Sequence, residues 1–141
     1  MIQRIQPVWL LMAAIGGFAM SQAPIFEARL PDNITQTVIA SDNLFLFALV
    51  IATALLSLAC VFLFKKRSLQ FKLTILTLVL AVIIVALEVR KVSSFESTHT
   101  ILKGSYRWGG LIPIAMIVFL LMAARGIYKD EKLVKSLDRL R

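Results

Sequence analysis

Four long runs of apolar residues alternate with short polar connections along this chain. The first runs from Ile5 to Ala23, with no charge after Arg4 and Trp9 near its start. The second, Asn43 to Phe64, holds 22 residues without a charge and stops at Lys65-Lys66-Arg67. The third covers about Leu69 to Val89, around an uncharged centre of 15 residues from Leu73 to Leu87. The fourth has 17 uncharged residues from Trp108 to Ala124, and Arg125 closes it. A helix rises about 1.5 Å per residue and a bilayer's hydrocarbon core is about 30 Å thick, so a span needs about 20 residues. The second run spans unaided. The third and fourth reach the headgroups when Lys72 and Arg125 extend their charged ends outward. The runs are too long for barrel strands and lack their alternation. Short connections make neighbouring spans antiparallel. The pattern predicts an all-α membrane protein: one domain, an up-down four-helix bundle with spans at about 5–23, 43–64, 69–89 and 108–126.

Beyond the fourth run the chain reads RGIYKDEKLVKSLDRLR. Leu133, Leu137 and Leu140 share one helical face, and Glu131 with Lys135 forms a favourable i,i+4 pair. This predicts a C-terminal amphipathic helix over 127–141, joined to the fourth span at Gly126. It would lie on the membrane surface or dock on a partner. The first run also admits a signal-peptide reading, with Ser21-Gln22-Ala23 as the cleavage site. Pro24 after the cut and the length of the run favour a retained helix.

Composition agrees. Hydrophobic residues make up 59% of the 141, and charged residues 17% against about 25% in soluble domains. Disorder and a disulfide scaffold are excluded, and one Cys with one His excludes a zinc cluster. The net charge of +8 needs no nucleic acid once the charges are assigned to loops. With both termini on one side, that side holds 11 of the 16 Lys and Arg; the other holds 5, with 5 of the 8 acids. The positive-inside rule then predicts cytoplasmic termini in a bacterial inner membrane, with anionic inner-leaflet lipids as the partner of the basic face.

Few residues carry chemistry. Glu88 is the one acid inside a predicted span. It reads either as a rim anchor paired with Lys91, or as a functional intramembrane acid for a proton or cation. His99 beside Glu96 reads as a solvated loop histidine, and Cys60 as a buried inert thiol. Trp9, Tyr106 and Trp108 fit an interfacial aromatic belt. Small residues at i,i+4 (Ala13 with Gly17, Ala48 with Ala52, Thr53 with Ser57) permit close helix packing. Asn33-Ile34-Thr35 matches a glycosylation sequon, a weak signal. No nucleophile–base pair can be assembled, so the protein reads as non-catalytic and without a cofactor.

Three stretches, MIQRIQPVWLL, FLFKKRSLQFKL and ARGIYKDEKLVKSLDRLR, resemble the four-span bacterial membrane family classed as domain of unknown function 4293, typical of Bacteroidota. The resemblance covers essentially the whole chain. Lys66 departs from it, standing where many members have Asn. The resemblance implies four spans and an inner-membrane home and supplies no activity. All three stretches lie on the predicted cytoplasmic side. That points to a charged platform built from Arg4, Gln6, Lys65, Arg67, Gln70, Lys72, Arg125, Asp130, Glu131, Lys132, Asp138, Arg139 and Arg141. Arg67 or Arg4 would pair with Asp130, Glu131 or Asp138. The expected function is that of a small accessory or scaffold subunit in a membrane complex. The alternative is a small transporter, channel or lipid-binding protein, with Glu88 as its acid and Thr53, Ser57, Thr74 or Thr77 lining a polar cavity.

Overall fold

A computed structural model describes residues 5–31, 34–64 and 66–138, with only the main chain described at Lys135, Leu137 and Asp138. Arg4, Lys65, Arg139 and Arg141 of the expected platform, the Asp138 side chain, and Asn33 of the sequon therefore lie outside the described residues. Four helices form: α1 (Gln6–Met20), α2 (Leu44–Phe62), α3 (Arg67–Thr98) and α4 (Ile112–Asp138). Pro7 opens α1, where its missing N–H is harmless. Asn43 caps α2; its Oδ1 accepts from the N–H groups of Phe45 and Leu46 at 3.0 and 3.2 Å. The turn from α2 to α3 is tight, and the Gln70 amide bridges it by donating to the Cys60 carbonyl at 2.9 Å.

Two helices outrun their apolar stretches. α3 continues for nine residues past Val89, to Thr98. The charged residues there end the hydrophobic run, but no Gly or Pro ends the helix. α4 passes through Gly126 without a break, so no joint separates the fourth span from the tail. Gly126 serves a close approach instead. A Cβ there would lie 2.6 Å from Cγ of Gln6, so the glycine lets the start of α1 cross α4.

The all-α expectation is corrected at one end of the molecule. The two long connections, read as loops, fold into a three-stranded antiparallel sheet of β1 (Pro24–Arg29), β2 (Thr35–Ile39) and β3 (Lys103–Tyr106), in the order β2-β1-β3. The third strand comes from a connection some 70 residues away, so no local pattern announces its pairing. The sheet survives because it is packed: Ile25, Phe26, Ala28 and Val38 enter one buried cluster with Met20, Leu46, Val50, Ile84 and Val92 of the helices. Phe26 meets Tyr106 and Phe95 edge-on, with centroids 5.4 and 6.4 Å apart. Gly104 makes room for it, since a Cβ there would fall 2.5 Å from Phe26 Cζ. Glu27 and Arg107 pair across β1 and the end of β3. Both are partly exposed, so a double-mutant cycle with Glu27→Gln and Arg107→Gln should give a coupling of at most about 1 kcal/mol in thermal unfolding.

The helices pack in a ring: α1 and α3 each contact α2 and α4. A second buried cluster, with Leu10, Cys60, Ala81, Leu120 and Ile127, fills the end away from the sheet. Trp9, expected in an interfacial belt, is half-buried there and stacks on Phe119 at 5.8 Å. The small pairs divide. Ala13, Gly17, Thr53 and Ser57 are buried, and Ser57 Oγ donates to Leu10 O of α1 at 3.2 Å. Ala48 and Ala52 are exposed, so among the described residues their spacing does not mark a buried helix contact.

α2, α3 and the stretch from Trp108 to Val134 are long and apolar enough to cross a membrane, while α1 is a shorter apolar helix. Their surfaces decide how they are used. Only 28–33% of each long apolar window is buried inside the protein, and residues such as Leu55, Val79, Val82 and Val118 point outward. A soluble domain rarely leaves so continuous an apolar face to water.

Candidate functional site

Candidate residues gather at both ends of the helical ring. At the turn end, Arg67 opens α3 and its guanidinium donates to the Asp130 main-chain carbonyl of α4 at 3.4 Å. Phe71 and Tyr128 cross the same two helices with ring centroids 6.0 Å apart. Gln70 is buried, and its own carbonyl accepts from Thr74 Oγ1 at 2.8 Å. Gln6 packs over Gly126. Asp130 and Glu131 are half-buried on α4, whereas Lys72, Arg125 and Lys132 are exposed. The structure thus brings Gln6, Arg67, Gln70 and Asp130 to one end. One hydrogen bond between Arg67 and Asp130 reaches the Asp130 main-chain carbonyl.

At the sheet end, Glu88 lies beneath the strands with 3% of its surface exposed. Its Oε1 occupies the space a side chain would take at Gly110. A Cβ there would sit 2.7 Å from Oε1, 3.3 Å from the Tyr106 ring and 3.4 Å from the Ile25 carbonyl. The expected rim pair with Lys91 is not formed. Lys91 Nζ donates to the Ile39 carbonyl at 2.6 Å and stands 3.8 Å from Asp42. Helical spacing puts Glu88 and Lys91 near each other, but the sheet supplies better partners above. Among the described residues no hydrogen bond or ion pair reaches Glu88. The Tyr106 phenol on β3 is held above its ordinary value, first by burial and then by the nearby Glu96 and Glu88.

The polar residues expected to line a cavity are otherwise engaged. Thr53, Ser57, Thr74 and Thr77 are fully buried, and each hydroxyl donates to a main-chain carbonyl at 2.7–3.2 Å. His99, placed in a loop by the sequence, caps α3 and stacks on Phe95 at 4.6 Å. Among the described residues no group of three or more His, Cys, Asp or Glu stands together as a metal site. Sequence reasoning missed Asp42 as the partner of Lys91 and Gly110 as the neighbour of Glu88. Each contact joins α3 to a residue of a distant connection, and nothing in linear spacing signals it.

Long helices with apolar outward faces, capped at one end by a small sheet, are the make-up of a helical membrane protein. The chain belongs to the family described as Domain of unknown function (DUF4293), whose sequence profile matches residues 2–140. No curated protein and no solved structure matches it.

Proposed function

We propose that the protein is a non-catalytic, multi-pass protein of a bacterial inner membrane, acting as a small accessory or scaffold subunit of a membrane complex. In this reading all four apolar helices span the bilayer as an up-down bundle. α1 has 15 residues, about 22 Å, and gains the needed length from Ile5 and from Ser21 to Ala23. The α2–α3 turn and both termini face the cytoplasm, where the excess of Lys and Arg lies. The observation that carries the reading is the link from Arg67 to the Asp130 carbonyl, which ties the basic turn to the tail of α4. A structured, charged surface suits recognition of a protein, where lipid attraction alone needs only charge.

The test is extraction in mild detergent with an affinity tag after Arg141. A stoichiometric membrane-protein partner, retained by the native chain and depleted by Arg67→Ala with Lys132→Ala, is the expected result. A homogeneous, partner-free species from the native chain would overturn the reading.

A second reading is favoured by Glu88. Glu88 is almost fully covered and no hydrogen bond or ion pair reaches it among the described residues, and an acid within an apolar helix is a candidate proton or cation site. This would make the protein a small transporter, channel or lipid-binding protein. The four buried hydroxyls count against a polar pathway between the helices, since all of them are already bonded.

A further inference from the structure

A cleft of about 690 Å³ opens at the sheet end, between β2, the start of α2 and the last turns of α3. It has a polar wall and an apolar floor. Arg90 stands on the wall, exposed, and no hydrogen bond or ion pair reaches it among the described residues. The neighbouring Lys91 is held by the Ile39 carbonyl and balanced by Asp42, so the charge left over in the cleft is that of Arg90. Asn43 uses its Oδ1 to cap α2, and its amide N–H groups make no bond among the described residues. Ser94 is exposed one turn along α3 from Arg90 and adds a hydroxyl. Glu88 and Glu96, the acids of this part of α3, do not line the cleft and stand toward Tyr106. The floor is made by Phe45, Leu46, Leu87 and Phe95. Phe45 is 67% exposed and its neighbour Leu44 82%, so the apolar floor continues onto the outward face of α2.

We infer that this cleft binds the phosphate headgroup of an acidic phospholipid, with the glycerol and the first chain methylenes over Phe45 and Leu87. A guanidinium presents a planar fork of donors that matches two phosphate oxygens, which an ammonium does not. The Asn43 amide and the Ser94 hydroxyl are neutral donors suited to the remaining oxygens. The level is right as well: Arg90 stands where the apolar stretch of α3 ends, which is the depth of headgroups on a spanning helix. A soluble phosphate would need the polar wall alone. The exposed apolar floor, continuous with the helix surface, favours the lipid.

The protein, purified in a mild detergent, would be equilibrated with phosphatidylglycerol or phosphatidylcholine and its bound lipid read by native mass spectrometry. The native chain should retain one phosphatidylglycerol in preference to phosphatidylcholine. Arg90→Gln should weaken that retention about tenfold, the size of one lost charge-assisted contact. Ser94→Phe fills the cleft while leaving Arg90 in place and should weaken it comparably. Lys103→Gln, an exposed cation on β3 that does not line the cleft, should leave it unchanged, with circular dichroism confirming the fold of all three. Equal retention of the two lipids overturns the proposal, as does unaltered retention in both cleft variants. Displacement of the lipid by millimolar glycerol phosphate would assign the site to a soluble phosphate and overturn the lipid. The inference rests on the helices crossing a membrane. Recovery of the protein in the soluble fraction of lysed cells would fail that reading, whereas loss of lipid preference alone fails only this one.

Discussion

Alanine at Gly17 is expected to loosen α1 from α2 and to destabilise the protein by about 2 kcal/mol, within the range for overpacked contacts. The added Cβ would lie 2.8 Å from the Ala54 Cβ and 3.3 Å from its Cα. Carbon atoms in contact prefer about 3.5–4.0 Å, and an alanine methyl has no rotamer by which to retreat. The helices must part instead, and the Ser57 bond to Leu10 O lies one turn beyond. Alanine's better helix propensity, up to about 1 kcal/mol, offsets only part of this. Gly16→Ala is the control: its Cβ would meet Met116 Cγ at 3.0 Å, a flexible side chain that can move aside. The decisive variant is Gly17→Ala with Ala54→Gly, which returns the missing space. Loss of helical circular dichroism on titration with a denaturing detergent would report all three. A double variant no more stable than Gly17→Ala alone would show that the contact between α1 and α2 is not the limiting one.

Methionine at Glu88 is expected to raise stability by about 1 kcal/mol or more, the reverse of most changes at a buried position. The two side chains are similar in length, and a thioether has no charge to strand beneath the sheet. Glu88 is almost fully covered, Lys91 one turn on is held by Ile39 and Asp42, and Gly110 leaves its Oε1 space without supplying a donor side chain. A residue retained against its own stability is the signature of a group kept for binding or transfer. A fall in stability of similar size would mean that the carboxylate is a structural anchor with a bound counter-charge. In vesicles, the same variant would abolish any proton- or cation-coupled flux that depends on this acid.

Much of the helical layer was legible without coordinates. Apolar runs ended by Lys65-Lys66-Arg67 and by Arg125 locate α2 and α4, because the hydrocarbon length and the cost of burying charge act on the chain locally. Buried Gly17 and Ser57 were marked by their spacing. Hydropathy does not mark the end of α3, because it stops where charge begins, whereas a helix stops where its hydrogen bonds find no successor. Val89 is the first of those limits and Thr98 the second. Of the candidate site, Glu88 stood out as the lone acid in a span, but its surroundings did not.

By itself, then, the sequence determined four apolar helices, their order and the uneven placement of charge, since each follows from residues close together in the chain. The tertiary structure alone decided that the two long connections meet as one sheet, that Lys91 turns to Asp42 and away from Glu88, and that Arg90 faces a cleft. Those outcomes depend on segments tens of residues apart competing for the same partners, and a contact of that kind has no period to read.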